Sequence, residues 1–210
     1  DNVWPLSILL SIIAPLGIIP AYYFSYRVIV KLSGGKNTLL FIAFLLFWCI
    51  LSSVVLHLFF VSKKNEHFVS LCSKGEIIPV SFFLKKKADV NYLSGRGFTP
   101  LNEAVKSNNS EIVKLLLSHG GDVNKPADYG LTPLHIAAKG NNTEIIRLLV
   151  EANAELDSMD SIGNTPLITA CKYGNPGVAR LLIESNADTR LTDKNGISAL
   201  SAAENNGLTE

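Results

Sequence analysis

The distribution of apolar and polar positions changes character near residue 62. Residues 2–26 and 38–62 each form a run of 25 without Lys, Arg, Asp or Glu, whereas apolar positions after residue 62 recur with helical spacing. About 20 consecutive apolar residues allow a helix to cross a bilayer, because in hydrocarbon every backbone polar group must be bonded within the helix. The pattern therefore predicts two transmembrane helices, at about residues 4–30 and 38–62, followed by an amphipathic helical region.

The first apolar run is the less regular of the two. It is interrupted by Pro5, Pro15, Gly17 and Pro20. Proline removes a backbone donor, so a helix in this run should be kinked. A re-entrant segment is the alternative interpretation. A signal-peptide core is disfavoured, because no basic segment precedes the run and because the run is longer than such a core usually is.

Beyond residue 62 the sequence repeats itself every 33 residues. The period is marked by Gly97, Gly130, Gly163 and Gly196, each standing two residues before a Thr or Ser. Glycine suits a tight turn, Thr or Ser suits the N-cap of a helix, and the Pro that follows each Thr suits the first helical turn. Each period therefore predicts a turn and two short helices. The residues predicted to end the first helices in the left-handed conformation are Asn108, Asn141, Gly174 and Gly207.

Three motifs indicate the kind of repeat. T-P-L-H occurs at Thr132 to His135, E-I-V-K-L-L at Glu111 to Leu116, and A-D-V-N at Ala88 to Asn91. With the 33-residue period, these residues resemble the ankyrin repeat family over about residues 66–210. The resemblance implies an all-α fold: an ankyrin-repeat solenoid of helix–turn–helix repeats with β-turn tips, here preceded by the two transmembrane helices.

The predicted organisation is a membrane region at residues 1–62 and an ankyrin repeat domain at 63–210. The repeats are predicted at about residues 66–94, 95–127, 128–160, 161–193 and 194–210, the last of them incomplete. The first repeat departs most from the pattern, with Lys85, Lys86 and Lys87 where a helix-ending glycine is usual. Two interpretations stay open for these lysines: contacts with anionic headgroups, or a solvated helix end that complements the helix dipole.

Composition and charge then narrow the class of protein. The chain is 48% hydrophobic and 18% charged, with a net charge of +1. A near-neutral chain lacks the basic surplus that neutralises phosphates, which disfavours a nucleic-acid binder. Its cysteines, Cys49, Cys72 and Cys171, are odd in number and show no pairing pattern, which favours a reducing compartment. Since ankyrin stacks are mostly cytosolic, we expect an integral membrane protein with cytoplasmic repeats.

Motifs for catalysis are absent from the sequence. It contains no G-x-S-x-G, no P-loop and no dinucleotide-binding fingerprint. The three histidines after residue 62, His67, His119 and His135, show no metal-ligand spacing. The resemblance implies that His135 bonds to backbone groups within and between repeats. The expectation is a protein without enzymatic activity, cofactor, metal ion or small-molecule substrate.

The function that the sequence favours is recognition of another protein. An ankyrin stack presents a concave face built from turn tips and from the exposed sides of the first helices. Aromatic residues, Ile and Arg at exposed positions are typical interface anchors. The predicted protein-binding residues are Arg96, Tyr129 and Ile162 at tips, with Lys139, Lys172 and Tyr173 on first helices. Because Lys106, Lys139 and Lys172 share one repeat position, they indicate either a basic stripe for an acidic partner or ordinary solubilising lysines.

The sequence therefore predicts a membrane-anchored ankyrin-repeat protein that binds a protein partner through the concave face, with the lipid bilayer as its second partner. Two alternatives remain open. One is a fragment of a larger channel, transporter or membrane enzyme that carries a C-terminal ankyrin domain. The other is a secreted host-directed effector whose hairpin inserts into a target membrane.

Overall fold

The computed structural model describes residues 38–207, with side chains for residue 47 and for residues 50–207. The helices over this range are α1 (Thr38–Lys74), α2 (Ile77–Lys85), α3 (Pro100–Lys106), α4 (Ser110–Ser118), α5 (Pro133–Gly140), α6 (Thr143–Glu151), α7 (Pro166–Lys172), α8 (Pro176–Glu184) and α9 (Ala199–Asn205). A short 3₁₀ helix lies at Asp128–Gly130, and Thr192 and Ser198 form an isolated antiparallel bridge. The predicted all-α class is therefore confirmed for the described part of the chain.

Contacts divide the chain into two compact units, Asp1–Phe59 and Phe60–Glu210. In the first unit the described residues all belong to α1, where apolar side chains such as Ile50 and Leu58 are 64% and 60% exposed. The predicted first transmembrane helix, at about residues 4–30, lies outside the described residues.

The prediction of two transmembrane helices is not supported. Among the residues whose structure is described, no helix is long and apolar enough to cross a membrane. The helix expected at about residues 38–62 does not end there but continues to Lys74. It continues because neither proline nor glycine occurs between Thr38 and Gly75. Hydropathy alone marks a change of polarity rather than the end of a helix.

The last turns of α1 serve as the first helix of the first repeat. Phe68, Leu71 and Cys72 of α1 are buried, as are Val80 and Leu84 of α2. The pairs α3–α4, α5–α6 and α7–α8 form the next three repeats, and α9 begins a fifth. One apolar core runs through all of these pairs. Each fully buried Leu or Ile in it contributes about 1.5–3 kcal/mol relative to an exposed side chain.

The predicted helix starts are confirmed by their hydrogen bonds. Thr99 Oγ1 accepts the backbone N–H of Asn102 at 3.1 Å, and Thr165 Oγ1 accepts that of Ile168 at 3.2 Å. In the fifth repeat Ser198 takes the same role and caps α9. Each cap satisfies one of the N–H groups that the first turn of a helix leaves unbonded, and so fixes where the helix begins.

The predicted left-handed residues are also confirmed. The φ angles of Asn108, Asn141, Gly174 and Gly207 are 60°, 56°, 69° and 70°. At Asn108, Asn141 and Gly174 the backbone reverses between the two helices of a repeat. Asn and Gly adopt positive φ at lower cost than other residues. The reversal makes the helices of each pair antiparallel neighbours.

A ladder of side-chain hydrogen bonds connects successive repeats. In each rung an Asn or Asp oxygen of one repeat accepts a backbone N–H of the next. The rungs are Asn91 Oδ1 with Asp122 at 2.7 Å, Asn124 Oδ1 with Glu155 at 2.9 Å, and Asp157 Oδ1 with Asp188 at 2.9 Å. The acceptors are spaced by one period, so the ladder holds neighbouring repeats in a fixed register.

Candidate protein-binding surface

The turns are numbered here by their glycines, Gly97, Gly130, Gly163 and Gly196. Aspartate side chains hold the tips of the third and fourth turns. Asp160 Oδ1 accepts the backbone N–H groups of Ile162 at 2.9 Å and Asn164 at 2.8 Å. Asp193 Oδ1 accepts those of Asn195 and Ile197 in the same way. These Asx turns present Ile162 at a tip with 55% of its surface exposed.

The second tip has a different backbone because Ala127 stands where the later turns carry aspartate. Without that acceptor, Tyr129 adopts a φ of 62° in the short 3₁₀ helix. A left-handed conformation costs a bulky residue about 1–2 kcal/mol. The carbonyl of Tyr129 nevertheless accepts the N–H of Ser161 at 2.8 Å, and its side chain is 76% exposed. A large aromatic side chain is therefore held out at a strained position.

Tyr173 and Lys139 come together across two repeats. Tyr173 follows α7 and is 54% exposed, and Lys139 Nζ lies 4.8 Å from the centre of its ring. Lys106 Nζ lies 4.6 Å from the ring of Phe98 in the second repeat. Such contacts between a cation and a ring orient the lysine without neutralising its charge. Both amines therefore stay available to a partner.

Lys172 does not resemble the other two lysines of the predicted stripe. Its Nζ forms an ion pair with Asp193 Oδ2 at 2.7 Å and donates to Asn164 Oδ1 at 2.6 Å. The Asp193 side chain is 1% exposed. The charge of Lys172 is thus paired with a buried carboxylate although 27% of its side chain stays exposed, and the charge of the predicted stripe rests on Lys106 and Lys139.

The Lys172–Asp193 pair makes stability depend on pH. The hydrogen bond from Lys172, followed by the backbone N–H of Ile197, lowers the pKa of Asp193 from 3.8 to about 2. Between these two pH values the Asp193 carboxyl is protonated more readily in the unfolded chain than in the folded chain. The pair therefore stabilises the folded chain above the unfolded pKa, and this contribution is lost as the pH falls through the folded pKa.

We expect the melting temperature to fall as the pH is lowered from about 4 to about 2, and to fall less in Asp193→Asn. Thermal denaturation followed by circular dichroism measures both curves. Asp188→Asn is the matched control, because its partner Arg190 is exposed and exposed pairs contribute little. An Asp193→Asn curve parallel to the wild-type curve would contradict the assignment.

Arg96 lies exposed at the first tip, as predicted. Leu93 and Met159, which precede the first and third turns, are 50% and 52% exposed and were not among the predicted residues. The 33-residue period contained the signal for them: Leu93, Pro126 and Met159 occupy one repeat position beside the turns, and all three are exposed. They extend the apolar part of the surface.

The structural role expected of His135 is confirmed. Its Nδ1 accepts the backbone N–H of Thr132, so Nε2 carries the proton and donates to the carbonyl of Asn164 in the next repeat at 2.9 Å. Burial, the largest effect, lowers the pKa of His135 and favours the neutral ring. His135 therefore joins two repeats through both nitrogens of its ring.

The two cysteines with described side chains are also structural. Cys72 and Cys171 are buried and free. Burial raises the pKa of Cys72 to about 12, with a further rise from Glu103, and burial raises that of Cys171. A thiol with a raised pKa is a poor nucleophile at neutral pH. Over residues 38–207, no cluster of three or more His, Cys, Asp or Glu residues is arranged to hold a metal ion.

Comparison with known proteins agrees with this architecture. A family model described as ankyrin repeats (3 copies) matches residues 54–127 and 120–193. The chain belongs to the ankyrin-repeat family. It is similar to a putative ankyrin repeat protein of Rickettsia bellii (strain RML369-C), with 43% identity over 53 residues, 22% of this chain and 32% of that protein.

A second relative is an enzyme by name. The chain is 38% identical over 61 residues to the 2-5A-dependent ribonuclease of Mus musculus, which is 29% of this chain and 8% of the ribonuclease. The chain thus spans about a third or less of the length of each of these relatives.

Proposed function

We propose that the chain binds a protein partner through the surface formed by the turn tips and the first helices, the concave face expected from the sequence. Ankyrin repeats generally mediate protein–protein interaction, and the chain belongs to that family. The observation that carries the proposal is Tyr129, a 76% exposed aromatic side chain on a left-handed backbone. Strain retained at an exposed residue favours a functional reason for the residue.

The chemistry of this surface suits an interface. Tyr and Arg are the residues that most often dominate binding energy, and Tyr129, Tyr173 and Arg96 are all exposed. The contact between Lys139 and Tyr173 limits the motion of both side chains before binding. Less conformational entropy is then lost when a partner docks. Lys106 and Lys139 favour a partner with carboxylates facing them.

The test is capture of a partner by the immobilised chain. We expect Tyr129→Ala combined with Tyr173→Ala to reduce capture at least about tenfold, because a central aromatic anchor contributes about 2 kcal/mol or more. Ile183→Ala is the matched control: Ile183 is 50% exposed, but it lies on the second helix α8. Both variants should keep the wild-type melting temperature. Equal capture by all three proteins would contradict the proposal.

Membrane anchoring is not part of this proposal, because no helix in the described range is long and apolar enough to cross a membrane. The catalytic activity in the name of the mouse relative is not part of it either, since the chain covers 8% of that protein.

A further inference from the structure

The outward face of α2 differs from the same face of the later second helices. Ile78 is 82% exposed and Phe82 is 55% exposed, and residues four apart lie on one side of a helix. One and two periods later, the position of Ile78 is taken by Glu111 and Glu144, both exposed. At the position of Ile78 the first repeat therefore shows an apolar side chain where its two neighbours show carboxylates. At the position of Phe82 the neighbours carry Leu115 and Leu148, which are partly buried, whereas Phe82 is exposed.

The same end of the repeat carries a cluster of amines. Lys85, Lys86 and Lys87 are all exposed, and Lys86 Nζ lies 5.8 Å from the centre of the Phe82 ring. Lys64 brings a fourth amine, because its Nζ donates to the carbonyl of Lys86 at 2.8 Å.

Few carboxylates accompany these amines. The sequence of α2 contains no Asp or Glu, and Glu76 lies at its opposite end. Asp89 follows the lysines, and its Oδ1 accepts the backbone N–H of Asn91. Where α2 has Lys85, the later second helices have Ser118, Glu151 and Glu184. A cluster of lysines at the end of the second helix is therefore specific to the first repeat.

We propose that this α2 patch, composed of Ile78, Phe82, Lys85, Lys86 and Lys87, docks on an anionic lipid surface. Apolar side chains beside amines allow a helix to lie at a bilayer surface, with the apolar groups in the acyl boundary and the amines at the headgroups. A protein partner fits less well, because lysine is depleted and arginine enriched at protein interfaces, and every cation of the patch is a lysine. Docking of this kind needs no membrane-spanning helix and is independent of the proposed tip surface.

Sedimentation of the full chain with lipid vesicles tests the proposal. We expect binding to vesicles of phosphatidylcholine with phosphatidylserine, weak binding to phosphatidylcholine alone, and loss of binding at high salt. The triple variant Lys85→Gln, Lys86→Gln, Lys87→Gln should weaken binding on the order of a hundredfold. Ile78→Ser with Phe82→Ser should also weaken it, and because both residues are exposed the fold should survive.

The matched control removes the same charge elsewhere. Lys114, Arg147 and Arg180 are exposed and share one position on the later second helices. The variant with all three changed to Gln should bind vesicles like the wild type, as should the Tyr129→Ala, Tyr173→Ala variant. Equal loss in both charge variants, binding that persists in the lysine variant, or binding of polyglutamate in place of vesicles would overturn the proposal.

Discussion

Replacing His135 with alanine is expected to lower the free energy of unfolding by about 3 kcal/mol. His135 is 1% exposed, and the substitution removes its bond to the Asn164 carbonyl and leaves the N–H of Thr132 without its acceptor. A buried donor without a partner costs about 1–3 kcal/mol, and the lost ring adds a cavity. Denaturation by urea measures the change.

Asn102 supplies the matched control, because it occupies the same position one repeat earlier. Its Nδ2 donates to the Lys125 carbonyl over a long 3.4 Å, and its Oδ1 has no hydrogen-bond partner although it is buried. Asn102→Ala removes one weak bond and one unsatisfied acceptor together, so we expect a loss of about 1 kcal/mol or less. Equal losses in the two variants would contradict the assignment of the His135 effect to its hydrogen bonds.

Gly163→Ala is expected to lower the free energy of unfolding by about 3 kcal/mol. The φ of Gly163 is 86°, and a Cβ added there would lie 2.8 Å from the backbone nitrogen of Lys194. That nitrogen donates to the Ile162 carbonyl at 3.2 Å. The substitution therefore adds about 1–2 kcal/mol of backbone strain and disturbs a hydrogen bond between two tips.

Gly196 separates these two contributions. Its φ is 76°, but a Cβ there would meet no atom within 4 Å. Gly196→Ala should therefore carry only the backbone strain, about 1–2 kcal/mol. Thermal and urea denaturation of both variants give the difference. If Gly196→Ala proved as costly as Gly163→Ala, contact between tips could not be the cause.

The parts of the fold that could be predicted from sequence are those set by local chemistry. A Thr before Pro caps a helix whatever surrounds it, so Thr99 and Thr165 fixed where α3 and α7 begin. Asn108 and Asn141 adopt positive φ for equally local reasons. The period then placed each element in its repeat, and the exposure of Tyr129 and Ile162 followed from their place at the tips.

The parts that could not be predicted depend on contacts between distant residues. Lys172 occupies the same repeat position as Lys139, and only the orientation of its side chain toward Asp193 pairs its charge with a carboxylate. The positive φ of Tyr129 is a separate case with a local cause, the absence of an acceptor at Ala127, because the shared repeat position of Tyr129 and Ile162 predicts the same backbone for both. The binding role of the remaining tip residues stays a prediction that the capture experiment tests.

Because the rungs of the hydrogen-bond ladder recur once per repeat, the stack can be shortened or lengthened by whole repeats. Excising residues 128–160 removes one period, after which Asn124 would face the N–H of Asp188 in place of that of Glu155. The rung closes again because both amides occupy the same place in their repeats. The ladder can lose a whole repeat and still close, whereas an insertion or deletion of a few residues would misplace the two partners of the rung that spans it. The gene can therefore vary the extent of its binding surface in whole-repeat steps while the local structure stays the same.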